Sequence, residues 1–289
     1  MGSRMRGVIS YLLERFQPAA VTTLSIATAA LLVGSATLNH ALEPSLKITL
    51  TGLVTLVFLA FLLRTRVTDE FKDRDHDDVN YPNRPVQRGL ISTAQLKRMR
   101  AWTFLVELVA VALVSQVSTN ASSALWYLPV LAFSYLTSKE FFASKYFEKH
   151  FTQYFVAHQL IFVWFMLWIY KTVSMNISLE TFLALLLAFV FLMATVEIVR
   201  KFEIRTNPAG QEVKDTYVAV WGLTGAISAL TALIVLCGLL YCAALNSLVP
   251  LITALPVAAC IVFFRKKFKV VQVAAFTNFL AISAIVYLR

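Results

Sequence analysis

DEFKDRDHDDVNYPNRPVQRG, residues 69–89, decides how the rest of the chain is read. It holds six carboxylates and four basic side chains within an otherwise apolar sequence. Asp69, Asp73 and Asp77 recur every four residues, a spacing that sets side chains on one face of a helix. Three carboxylates stacked this way repel one another, and a divalent cation offsets the repulsion. Mg²⁺ suits the place, because it takes one or two carboxylates and leaves positions for phosphate oxygens. Pro82, Asn83, Arg84, Pro85 and Gly89 then break the helix and present Arg84 and Arg88. Carboxylates for a metal beside guanidinium groups for an anion suggest a Mg²⁺–diphosphate site.

Two plainer readings compete. A run of charges is most often a solvated loop. A calcium loop would use Asp73, Asp75 and Asp77 as its first three ligands. That motif fails, since Asp78 stands where it needs glycine and Arg84 where it needs its last glutamate.

Outward from this stretch the chain is greasy. Of its 289 residues, 58% are hydrophobic and 15% charged, a balance far from that of a soluble domain. The apolar residues come in blocks of about 17 to 25, long enough to cross a bilayer as helices. Nine spans are predicted, at about 19–38, 46–64, 101–118, 123–138, 155–171, 178–198, 217–241, 247–264 and 270–288. The first block is too long for a secretory signal and has no clear small-residue cleavage site. An amphipathic surface helix precedes it, with Arg4, Arg6 and Arg15 as its charge and Tyr11, Leu12, Leu13 and Phe16 as its apolar side. Asn39 to Pro44 reads as a turn. The expected fold is an all-α integral membrane protein, one domain over 1–289, with nine transmembrane helices around a central cavity. Polar loops at about 65–100 and 200–216 would meet over that cavity.

The formal charge is +10, but the basic residues cluster at helix ends, a signal of topology and not of nucleic acid. With nine spans, 23 of the 26 Lys and Arg residues fall on the N-terminal side, and only Lys47, Lys171 and Arg289 on the other. The positive-inside rule then places the N-terminus and both polar loops in the cytoplasm. Cys237, Cys242 and Cys260 suit neither a zinc site nor a disulfide framework and read as small core residues. Glu107 lies inside a span, where it needs a partner or must be neutral. His158 and Gln159 either bond between helices or serve an acceptor, and Asn278 reads as a link between helices.

The second polar loop offers Glu197, Lys201, Glu203, Arg205, Glu212 and Asp215. Glu197 and Lys201 share a helix face. They read either as an ordinary ion pair at a helix end or as a second metal or diphosphate contact facing the aspartates.

Taken together, the first loop resembles the first signature of the UbiA superfamily of intramembrane prenyltransferases. That signature is Asn-x-x-x-Asp-x-x-x-Asp, then Asn, then Arg-Pro; here it reads Asp69, Asp73, Asp77, Asn80, Arg84, Pro85. Tyr135 and Lys139 are similar to the family's Tyr-x-x-x-Lys at the end of its fourth helix, and Thr216 and Gly222 match the start of its seventh. The second signature departs: Glu197 stands for its first aspartate, Lys201 for its second, and residues about Asn207 to Gln211 are extra. Either Glu197 and Glu203 hold a second Mg²⁺, or Lys201 and Arg205 bind diphosphate directly.

The resemblance implies Mg²⁺-dependent transfer of an isoprenyl group from its diphosphate to a lipophilic acceptor in the membrane. Asp69, Asp73 and Asp77 would hold metal, with Glu197 and Glu203 as further ligands. Arg84, Arg88, Lys139, Lys201 and Arg205 would bind diphosphate; Tyr135 and Lys139 would be catalytic, Tyr135 by stabilising the cation or orienting the donor. Ionising an allylic diphosphate leaves a carbocation that needs a dry pocket with aromatic faces. Phe141, Phe142, Phe151, Tyr154, His158, Trp164 and Trp168 are the candidates to line it. A membrane terpene cyclase, without acceptor, is the alternative enzyme. A transporter or lipid-binding protein is the alternative outside enzymes, but the polar groups gather at one membrane face and not at the midplane. A phosphotransferase of CDP-alcohols needs glycines among its aspartates, which are absent here.

Overall fold

The computed structural model describes residues 2–38, 42–118, 120–173 and 177–289, with side chains from Met5 onward. The side chain of Arg4 in the surface helix and Asn39 of the expected turn lie outside what is described.

Helix α1, Gly2–Tyr11, continues through five π-helical residues, Leu12–Phe16, and stops at Gln17 in the left-handed region. Pro18 then opens α2, Pro18–Ala36, at a position where its missing N–H costs nothing. Helix α3 runs Pro44–Lys72, started by the Glu43 carboxylate accepting from the Leu46 N–H. Its 29 residues make about 43 Å of helix, more than the ~30 Å hydrocarbon core. The span expected to end near 64 therefore carries on as helix to the aspartates.

A short α4, Arg74–Asn80, leads to α5, Thr93–Val117, whose start is fixed by a reciprocal cap between Ser92 and Gln95. A 3₁₀ segment, Ala121–Tyr127, precedes α6, Leu128–Ser138. Next come α7, Ser144–Phe147, α8, Phe151–Gln159, and α9, Ile161–Val173, the last two forming one bent 23-residue span. Helix α10, Leu179–Arg200, is followed by a two-stranded hairpin, β1 Arg205–Thr206 and β2 Glu212–Val213. Helices α11, Tyr217–Leu245, α12, Val249–Phe263, and α13, Phe268–Leu288, complete the chain.

Among the described residues, seven helices are long and apolar enough to cross a membrane. Two of the nine expected spans are shorter. The one at 123–138 divides into a 3₁₀ segment and an 11-residue helix, and α12 has 15 residues, about 22 Å.

Neighbours follow the chain: α2 lies beside α3, α3 beside α5, α10 beside α11, α11 beside α12, and α13 returns against α2. That return is close, because a side chain on Gly34 would meet the Tyr287 backbone at 2.8 Å. Among the described residues, aromatic rings pack the middle of the bundle. Phe58, Phe165, Tyr127 and Trp168 are fully buried there, with the Phe58 and Phe165 rings 4.4 Å apart. Aromatic rings stack on one another where nothing else fills the space.

Glu107 has found its partners. Arg64 donates to both of its oxygens at 2.6 and 2.9 Å, and the Tyr127 hydroxyl donates at 2.8 Å. Asn278 makes no interhelical bond: no polar group of a neighbouring helix reaches its buried amide, among the described residues. The three cysteines are free.

Candidate active site

The aspartate repeat keeps its backbone register. Asp73 N–H donates to Asp69 O, Asp77 N–H to Asp73 O, and Tyr81 N–H to Asp77 O, each at 2.8 Å. Asp73 is nevertheless the junction between α3 and α4, with ψ at 11°, and the three carboxylates differ in exposure. Asp69 and Asp73 stay 43% and 46% exposed. Asp77 is buried in an ion pair with Arg84, with Arg15 at 3.8 Å. Among the described residues, no three His, Cys, Asp or Glu side chains gather closely enough to hold a metal by themselves.

Asp69 and Asp73 form the open part of the site. The Lys72 ammonium lies between them, at 3.9 and 3.7 Å, and also 3.7 Å from Glu140. Partial burial pushes the Asp73 carboxyl above its usual range against the pull of Lys72, with Asp69 and Asp77 adding to the rise. Beneath Lys72 is a layer of rings. Its ammonium donates to the Tyr154 hydroxyl at 3.3 Å. The Tyr154 ring is 3.9 Å from that of His158 and 5.7 Å from that of Phe147, and Phe141 meets His158 edge-on. His158 Nδ1–H donates to the Tyr154 carbonyl one turn back at 2.8 Å. An open apolar groove of about 430 Å³ starts at Phe147 and follows α8 through Val156 to Leu160.

The second polar loop closes on the first. Tyr81 donates to Asp215 at 2.7 Å, and Asp215 also takes Arg205 at 3.3 Å. Burial, then the bond to Asp215, pushes the Tyr81 phenol up to about 12. Glu197 is held by both nitrogens of Arg200, at 2.8 and 2.9 Å, by Tyr217 at 3.2 Å and by Lys201 at 3.8 Å. Glu203 is paired with Arg205. Lys201 lies near enough to Asp69 and Asp73 to feel their charge, while burial pulls its ammonium below the usual lysine range. The extra residues 207–211 are the tip of the hairpin, closed by Asn207 accepting from the Gln211 N–H at 3.0 Å. Thr216 caps α11, and Gly222 takes φ 71° and ψ 163°, a backbone state essentially restricted to glycine.

The structure thus gathers Asp69, Asp73, Tyr154, His158 and Lys201. Tyr135 and Phe142 stand 56% and 72% exposed, with Lys139 exposed beside them at the end of α6. Arg88 is held by Glu14 of the N-terminal segment at 2.6 Å. Trp164 packs against the mid-bundle core. Lys72, Glu140, Arg200 and Tyr81 join the site without having been singled out by sequence. For Lys72 and Arg200 a signal existed, since each stands three residues after an acid, within reach on a helix.

Residues 18–283 match the model of the UbiA prenyltransferase family. No curated protein matches the chain. A solved structure of digeranylgeranylglyceryl phosphate synthase is similar, with a TM-score of 0.51 at 16% identity over 96% of this chain and 99% of that one. At that identity the likeness concerns the fold.

Proposed function

The chain belongs to the UbiA prenyltransferase family, and we propose that it moves an isoprenyl group from an isoprenyl diphosphate to a lipophilic acceptor. The family and the long apolar helices make it a multi-pass membrane protein and support prenyl transfer in a membrane. One observation carries the finer reading: Asp69 and Asp73 stand open, one helical turn apart, above a layer of aromatic rings.

Those two carboxylates fit Mg²⁺, which takes a few hard oxygens and keeps its other positions for water and phosphate. Mg²⁺ held there would offset the charge of a departing diphosphate. Lys201 faces the same place and binds the diphosphate beside it. Arg84 is stacked 3.7 Å over Tyr81 and fixed by Asp77, which makes Asp77 a support for the arginine. Arg88 and Arg205 engage the donor only by leaving Glu14 and Glu203, and Lys139 only by folding inward from the end of α6. Glu197 and Glu203 act through the arginines and lysine they hold. Tyr154, with Phe141 and Phe147, offers faces that attract a carbocation without trapping it. The groove that starts at Phe147 accommodates the apolar isoprenyl tail.

The segment 121–138 and α12 complete nine crossings in this reading. Arg15–Glu70, Lys72–Glu140 and Tyr81–Asp215 tie the N-terminal segment and three loops together at one end. The excess of Lys and Arg there assigns that end to the cytoplasm.

The test is incubation of the purified protein in detergent with Mg²⁺ and isoprenyl diphosphates of graded length, with and without a membrane lipid extract. Pyrophosphate release with a prenylated lipid, only when extract is present, is the expected result. Terpene products without extract would favour a cyclase, and no release under either condition would contradict both.

A further inference from the structure

Lys72 ends α3 with its side chain 18% exposed, surrounded by the carboxylates of Asp69, Asp73 and Glu140 within 4 Å. Its ammonium is the nearest positive charge to all three. Glu140 reaches this set only through an unfavourable turn. Glu140, Phe141 and Phe142 have φ of 48°, 53° and 58°, three successive left-handed residues without a glycine among them. Residues with side chains seldom adopt that conformation, and where they do the surroundings hold them in it. The turn carries Glu140 back from the end of α6 to the ammonium.

We propose that Lys72 is a positioning residue of the donor site. Its ammonium is the resident counter-charge of Asp69 and Asp73, and a divalent cation binds there by displacing it toward Glu140. The proposal rests on the reading that Asp69 and Asp73 hold the metal. Two cations cannot share the same pair of carboxylates without repulsion. Glu140 and the Tyr154 hydroxyl supply the acceptors the ammonium needs once it gives way. The site is therefore ordered before any metal arrives, and its affinity for metal is set by a competition inside the chain.

Mn²⁺ titrated into the purified protein in detergent, without substrate, tests this, with bound ion read from loss of the free-ion paramagnetic resonance signal. Lys72→Met keeps the length and removes the charge, and is expected to bind Mn²⁺ roughly tenfold tighter. Lys72→Arg should restore the wild-type affinity, and Glu140→Gln should weaken it. Lys72→Gln serves as a second neutral variant should the methionine variant fail to fold, as judged by helical circular dichroism. Affinity unchanged or weaker in the neutral variants, with binding still lost in Asp73→Asn, would overturn the role of Lys72 alone. Absence of Mn²⁺ binding in every protein would overturn this role together with the metal reading.

Discussion

Between residues 69 and 92 two carboxylates stand half exposed with a single lysine between them, whereas between 197 and 216 three of the four acids are paired with an arginine. Glu197 has Arg200, and Glu203 and Asp215 share Arg205. Both regions cap the same end of the bundle, and both are dense in charge. A carboxylate clasped by two guanidinium nitrogens already has its charge met by a cation that a metal would have to displace. One held at 3.7 to 3.9 Å by an ammonium is held more loosely. Pairing, and not the number of acids, distinguishes a place for a cation from a place that presents cations.

The largest effect expected from that contrast comes from removing divalent metal. Chelation should lower pyrophosphate release by at least about 10³-fold, and added Mg²⁺ should restore it. Release that persists in chelator would erase the difference between the two regions. Asp77→Ala comes next. It leaves the guanidinium of Arg84 buried without its partner, at a cost of about 3 kcal/mol in stability, visible as a lowered melting temperature in detergent. An unchanged melting temperature would return Asp77 to the open site. Glu197→Gln should lower kcat/KM about tenfold, through a raised KM, while leaving Mn²⁺ affinity within about twofold. Loss of metal binding in that variant would make the second region a metal site after all.

The smallest effect is one of pH. Burial pulls the Lys201 ammonium below the ordinary lysine range. As pH rises it loses its charge earlier than a free lysine would, and its hold on diphosphate goes with it. Activity should therefore fall on the alkaline side, and Lys201→Arg should move that limb to higher pH. A limb that does not move would mean that another group titrates there.

Much of this architecture is legible in the sequence. The four-residue aspartate spacing does continue as helical hydrogen bonding through Asp69, Asp73, Asp77 and Tyr81. Glu107, costly in a membrane, does have partners in Arg64 and Tyr127. The bend at Asp73 was not legible, because nothing local to that residue breaks a helix; Asp77 turns inward to meet Arg84 and Arg15, which are distant along the chain. Nor was the filled centre of the bundle. A run of aromatic residues has the same pattern whether its rings stand beside a lysine at the loop end, like Tyr154, or pack the core, like Trp168. The hairpin at 205–213 appeared only as extra residues, since two-residue strands leave no periodicity to read.

The account rests on Asp69 and Asp73 as the place where the donor is ionised, and Asp73→Asn tests it most directly. The variant keeps the size of the side chain and removes its charge at a half-exposed position, so it should fold and melt as the wild type does. Pyrophosphate release from an isoprenyl diphosphate, measured with saturating Mg²⁺ and lipid extract, should drop by about 10²-fold or more. Release at the wild-type rate from a folded Asp73→Asn protein would contradict the account.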